Sequence, residues 1–172
     1  MTNQDWDDNE GPLAYLITFR TYGTWLHGDD RYSIDLHGQN IYGTPKIAPN
    51  RNLVKLMSTN RAADAFILNG EQRGVVERAI RDVCKYRGYC LMAVNVRTNH
   101  AHSVVASQRK PEIILNAFKS NATRELRQAG LVLPTQPVWS RGGSTRYLWK
   151  PRHVEGAINY VLYGQGDDLP DL

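Results

Sequence analysis

Residues 89–106, YCLMAVNVRTNHAHSVVA, decide the fold of this chain. Apolar runs at 89–97 and 100–107, with Arg97-Thr98-Asn99 near the turn, predict two antiparallel strands. Because side chains alternate across a strand, His100 and His102 are expected on one face of the sheet. Two adjacent imidazoles are candidate ligands for one divalent metal ion. The spacing alone is equally typical of a structural pair of histidines.

Length and composition predict a single domain spanning 1–172 and large enough to bury its own core. The polar ends, 1–12 and 167–172, are expected to be loose, and 28–70 is expected to be a long loop or insertion. No apolar run approaches the roughly 20 residues that would span a bilayer. The polar, acidic first residues do not resemble a signal peptide, which favours the cytoplasm.

Positive charge is concentrated in the middle of the chain. The whole sequence has a formal net charge of +4, but 31–166 carries 20 Lys and Arg against eight Asp and Glu, a net charge of +12. A basic middle favours a polyanionic partner, most simply nucleic acid. The alternative is a solvated basic surface without a partner.

Apolar residues at helical spacing predict helices over 71–87, 111–129 and 151–163. The further predicted strands lie at 13–20, 138–139 and 147–149. This order of elements predicts a ferredoxin-like α+β sandwich, with helices on one face of an antiparallel sheet and a terminal helix after it.

The terminal helix carries Tyr160, a candidate nucleophile. A phenol is mostly protonated at neutral pH, so it would need a nearby metal or cation to react. Tyr163 lies one turn further on the same side of the helix and is a rival candidate. The alternative is that Tyr160 only packs the helix against the sheet.

Four blocks of the sequence together resemble the HUH superfamily of single-tyrosine DNA transposases, of the REP-associated type with a transposase IS200-like domain. The blocks cover most of 13–166, and their set and order are more specific than any one of them. They are YLITFRTYGTWLHG at 15–28, NHAHSVV at 99–105, WSRGGSTRYLW at 139–149 and AINYVLYGQG at 157–166.

The resemblance implies a metal-dependent nuclease and strand transferase acting on single-stranded or hairpin DNA. It implies that His100 and His102 hold Mg²⁺ or Mn²⁺ and that Tyr160 attacks the phosphate. The products would be a 5′-phosphotyrosine and a free 3′-hydroxyl. Such an enzyme would be cytoplasmic and associated with the nucleoid, and the family includes both monomers and homodimers.

The sequence departs from the family pattern one turn after the tyrosine, where relatives often place a polar side chain that completes the metal site. Gly164 stands at that position, and Gln165 follows it. Gln165 is therefore a candidate third ligand if the helix loosens at Gly164. The alternative is a water molecule in that position.

Basic side chains are expected to bind the DNA backbone, because guanidinium and ammonium groups pair with phosphates. The candidates are Lys119, Arg124, Arg141 and Arg146. Trp25, Trp139, Trp149 and Tyr22 are candidates for stacking on unpaired bases, although core packing is the commoner role for such residues. The competing function is a non-transposing module of the same fold that binds hairpin DNA or RNA.

Overall fold

The computed structural model describes residues 11–24, 33–34, 46–47, 51–52, 55 and 64–166. The strands are β1 (Ala14–Arg20), β2 (Ser33–Ile34), β3 (Lys46–Ile47), β4 (Cys90–Val96), β5 (His100–Ala106) and β6 (Ser144–Leu148). Three helices are described from end to end: α1 (Gly70–Arg87), α2 (Pro111–Gln128) and α3 (Pro151–Tyr163). Residues 51–52 and 55 are also helical.

Four strands form one antiparallel sheet in the order β4-β5-β1-β6. The helix α1 connects β1 to β4, and these two strands lie on either side of β5. This is the split arrangement of a ferredoxin-like fold, as the sequence predicted. The short strands β2 and β3 pair with each other in a separate two-stranded sheet. Most of the expected loop at 28–70 lies outside the described residues.

The helices α1 and α2 cover one face of the sheet and enclose the larger of two hydrophobic cores. Ile17 and Phe19 of β1 meet Ile80 of α1 and Phe118 of α2 in this core, all at most 1% exposed. Burying each such side chain contributes about 1.5–3 kcal/mol to stability. The N-terminus of α1 is held by a capping box in which Asn69 and Gln72 bond each other's backbone amides at 2.9 Å.

The terminal helix α3 packs against the opposite face of the sheet. Ala157 and Val161 of the helix meet Ala93, Val104 and Leu148 in a second, smaller core. The Asn95 side-chain amide also donates to the Val161 carbonyl at 2.9 Å, which ties the helix to β4. The sheet is thus covered on both faces, and α3 is the helix of the described residues that packs on the side of the histidines.

The last strand differs from the sequence prediction. Strands were expected at 138–139 and 147–149, but β6 runs over Ser144–Leu148 and Trp139 makes only an isolated bridge to Thr21. β6 begins at Ser144 because it pairs with β1, and this pairing runs from the pair Thr18–Ser144 to the pair Ala14–Leu148. Local residue preferences in the Gly-rich segment did not reveal this long-range partner.

The two cysteines, Cys84 and Cys90, are both free. Cys84 is buried on α1, and burial raises the pKa of its thiol to about 11. A thiol with such a pKa stays protonated and unreactive at neutral pH.

Ser103 of β5 places a hydroxyl in the larger core without a hydrogen-bond partner in the described structure. Such a group loses its water without compensation. We expect Ser103→Ala to raise the free energy of unfolding by about 1 kcal/mol in urea denaturation. As a control, Ser107→Ala should not stabilise, because the Ser107 hydroxyl accepts from the Arg109 amide at 3.0 Å. An equal effect of both substitutions would contradict this account.

Candidate functional site

The histidines of β5 lie side by side on the α3 face of the sheet. Ala101, between them, points into the opposite core with Val105. The ring centroids of His100 and His102 are 4.6 Å apart, with an interplanar angle of 69°. The predicted strand alternation therefore brings the two imidazoles together on one face.

His102 is a neutral imidazole in a nearly closed environment, at 6% exposure. Burial lowers the pKa of His102 to about 3; electrostatic interactions with His100 and Arg20 act in the same direction, and a hydrogen bond with Gln165 acts against them. Its Nδ1 makes a 2.7 Å hydrogen bond with Thr18 Oγ1. Because Thr18 occupies Nδ1, Nε2 is the atom that can bind a ligand, and a neutral imidazole is the form that binds metal.

His100 is held between two side-chain amides. Its Nδ1 lies 2.6 Å from Asn99 Oδ1, and its Nε2 lies 3.2 Å from Gln165 Oε1. Both amide oxygens are acceptors, so a neutral His100 that donates from Nδ1 has a lone pair at Nε2 facing a second lone pair on Gln165. A cation between these two atoms would satisfy both.

Tyr160 faces the histidines from α3. Its ring centroid lies 5.4 Å from that of His102, and the side chain is 46% exposed. The rival Tyr163 is 80% exposed on the same helix. Of the two candidates, the structure places Tyr160 in ring contact with His102, and the accessible phenol leaves room for a substrate.

The helix ends at the point where the sequence departs from the family pattern. The amide of Gly164 and the Nε2 of Gln165 both donate to the Tyr160 carbonyl, at 2.9 and 3.1 Å. This turn brings Gln165 next to His100. A Cβ at Gly164 would lie 2.8 Å from the carbonyl oxygen of Tyr160 and 3.0 Å from Cδ2 of the same residue. Only glycine therefore fits at 164 without a displacement of Tyr160.

These side chains form a donor set that fits a divalent cation. Within the part of the chain that the structure describes, there is no group of three or more His, Cys, Asp or Glu that could hold a metal. The set here instead combines two imidazole nitrogens with one amide oxygen and leaves further positions open. Manganese accepts both kinds of ligand, whereas magnesium prefers oxygen.

Four further residues lie around the site, and the sequence assigned a role to none of them beyond placing Asn99 in the histidine motif. Thr18 and Arg20 of β1 stand in register with His102 and His100. Asn99 bonds His100, and Asn95 bonds the backbone of α3. Only Asn99, adjacent to His100, carried a sequence signal; the others depend on strand register, which a single sequence does not reveal.

The predicted DNA-binding residues of α2 lie across the sheet from the histidines. Lys119 donates to the carbonyls of Ser140 and Gly142 at 2.7 and 2.8 Å, and burial lowers the pKa of its amine. Arg124 forms a 3.0 Å ion pair with Glu125. The ammonium of Lys119 therefore holds the loop before β6 in place.

The other two predicted DNA-binding residues lie in β6 and in the loop before it. Arg141 is exposed in the loop that leads to β6. Arg146 of β6 is in register with Leu16, two residues after the Ser144–Thr18 pair, and so points to the α3 face.

The candidate stacking aromatics have different environments. Trp139 is part of the core wall: its Nε1 donates to Lys119 O and Thr123 Oγ1, and its ring meets Phe19 edge-on at 4.9 Å. Tyr22 is partly buried against the same core. Trp149 is 49% exposed. Trp25 lies outside the described residues.

The fold and site together define a ferredoxin-like α+β domain in which a histidine pair on the sheet faces a tyrosine on the last helix. No family model matches the sequence, and no curated protein matches it. None of the described helices is long and apolar enough to cross a membrane.

Two solved structures are similar to the chain. One is a REP-associated tyrosine transposase bound to a REP hairpin, with 11% identity and a TM-score of 0.48. The match covers 88% of this chain, which spans only 65% of that one. The other is a putative transposase from Deinococcus radiodurans R1, with 15% identity, a TM-score of 0.47 and coverage of 91% and 93%. Both similarities are distant.

The close approach at Gly164 predicts opposite effects for a substitution just after α3 and one in its interior. Gly164→Ala should lower the free energy of unfolding by about 1–3 kcal/mol, because its Cβ would displace Tyr160. Gly156→Ala should raise it by about 0.5–1 kcal/mol, because the helix gains propensity and nothing lies within 4 Å of the new Cβ. Urea denaturation of both variants measures this, and a stabilising Gly164→Ala would contradict the packing described.

Proposed function

We propose that this protein is a metal-dependent single-strand DNA endonuclease and strand transferase that forms a 5′-phosphotyrosine intermediate during DNA transposition. The observation that carries the proposal is the convergence of His100, His102, Gln165 and Tyr160 on one face of the sheet. Unpaired hairpin-associated DNA is the substrate implied by the sequence resemblance and by the basic middle of the chain.

The cation would be Mg²⁺ or Mn²⁺, held by His100, His102 and Gln165. When bound, it supplies Lewis-acid polarisation of the scissile phosphate. Thr18 and Asn99 each bond an Nδ1 atom and so orient the Nε2 atoms of the two histidines. Burial keeps His102 neutral, so it offers a lone pair without first losing a proton.

Tyr160 is the nucleophile of the proposed reaction. Its phenolic oxygen forms a bond to phosphorus, and the bond from phosphorus to the 3′-oxygen breaks. The phenol loses its proton and the departing 3′-oxygen ends as a hydroxyl, so the cut consumes neither water nor ATP. Attack of a 3′-hydroxyl on the phosphotyrosine reverses the step and joins DNA ends.

Arg20 supplies a fixed positive charge on the same face, next to His100 in the register of β1 and β5. Phosphoryl transfer needs positioning and charge stabilisation more than proton transfer. A guanidinium beside the histidine pair suits the binding of a phosphodiester.

The nucleophile is tested by trapping the covalent intermediate. The protein is incubated with labelled hairpin DNA and Mn²⁺ and run on a denaturing gel. We expect an SDS-resistant adduct that falls by at least about 10³-fold in Tyr160→Phe, because no other group replaces a missing nucleophile. Tyr163→Phe is the matched control and should retain the adduct. Loss of the adduct in Tyr163→Phe alone would move the nucleophile to Tyr163.

The metal ligands are tested by calorimetry with Mn²⁺ in the absence of DNA. We expect His100→Ala to weaken Mn²⁺ binding by at least about tenfold, because one of two imidazole ligands is lost. His153→Ala changes an exposed histidine of α3 and should leave binding unchanged. Unchanged affinity in His100→Ala would overturn the ligand assignment, and unchanged affinity in Gln165→Ala would favour water as the third ligand.

A further inference from the structure

Two aromatic side chains at the end of β6 form an exposed stack that the proposed reaction does not use. The rings of Tyr147 and Trp149 lie 6.1 Å apart with an interplanar angle of 17°. Tyr147 is 41% exposed and Trp149 is 49% exposed. Large aromatics that serve only the core bury most of their surface, so this stack keeps an apolar face in water.

The stack is held in place by contacts with the core of the domain. Tyr147 pairs with Tyr15 in the register of β1 and β6, and the two rings meet edge-on at 5.1 Å. Tyr15 is 6% exposed and belongs to the larger core. Leu148, between the two exposed rings, is buried in the smaller core on the opposite face of the sheet. Strand alternation therefore fixes the stack before any ligand binds, which reduces the entropic cost of binding.

The surrounding sequence is positively charged. No acidic residue occurs between Glu125 and Glu155. The basic residues of this interval are Arg127, Arg141, Arg146, Lys150 and Arg152. An acidic group from another element, Glu112 of α2, accepts a hydrogen bond from Thr145 at 3.2 Å. Lys150 and Arg152 follow the stack directly in the sequence, whereas Arg146 points to the other face of the sheet. An exposed aromatic stack with basic residues next to it in the sequence suits a single nucleic-acid strand, whose bases stack and whose phosphates pair with cations.

We infer that Tyr147 and Trp149 form a stacking site for an unpaired base of the DNA strand. The inference rests on the proposed function for the identity of the ligand. Ser144, at the other end of β6, pairs with Thr18, which in turn pairs with His102. From strand spacing and rise, the backbone of the stack lies roughly 15–20 Å from that of His102, and its rings point to the other face of the edge strand. The base that it binds is thus a few nucleotides away from the phosphate that is cut.

The test measures binding without cleavage. All variants carry Tyr160→Phe, the buffer contains EDTA, and fluorescence anisotropy follows a labelled hairpin with a single-stranded tail. We expect Trp149→Ala to weaken binding between about fivefold and a hundredfold, the range for losing one stacked base. Trp149→Phe keeps an aromatic ring and should stay within about threefold of the parent. Tyr86→Ala, which removes a 90% exposed aromatic from α1, is the matched control and should have no effect.

A blunt duplex of the same sequence separates base stacking from backbone contact. Trp149→Ala should not change its affinity, because paired bases offer no free face. Equal affinities for Trp149→Ala and Tyr86→Ala on the tailed hairpin would overturn the inference, and so would equal losses on tailed and blunt DNA or no binding by the parent. Trp149-dependent binding without any Mn²⁺-dependent adduct of the wild-type protein would refute the proposed cleavage and leave the stacking site in place.

Discussion

The antiparallel pairing of β1 with β5 is the constraint on which the rest of the structure depends. It places Thr18 opposite His102 and Arg20 opposite His100, and it fixes the face of the sheet on which the imidazoles lie. A register shift of one residue would turn both histidines into the larger core. The 2.7 Å hydrogen bond between Thr18 and His102 adds a polar interaction that favours this register, in addition to side-chain packing.

The sequence was sufficient for features that depend on local periodicity. The helices α1 and α2 end within one residue of their predicted bounds, Gly88 ends α1 in the left-handed conformation at φ 69°, and the alternation of β5 predicted the shared face of the histidines. The ferredoxin-like fold followed from the order of these elements and is confirmed by the sheet order.

Features that depend on long-range partners could not be predicted. The start of β6 at Ser144 is set by its pairing with β1, more than 120 residues earlier in the sequence. The hydrogen bonds from Lys119 to two carbonyls of the loop before β6 likewise depend on tertiary contact. The sequence predicted that Lys119 binds DNA from an exposed helix face. In the structure its ammonium donates to two backbone carbonyls instead of projecting freely from that face.

The division of the apolar core by the sheet has a consequence for motion. The large core lies under α1 and α2, whereas the contacts of α3 with the sheet in the described residues are a small set of apolar side chains, the ring contact of Tyr160 with His102 and the hydrogen bond from Asn95. Segments with few buried contacts open locally at lower free-energy cost than the rest of a domain. Amide hydrogens of α3 should therefore exchange with solvent before those of β5. Tyr160 would then be attached to the part of the molecule that can move away, while the histidines stay on a rigid sheet.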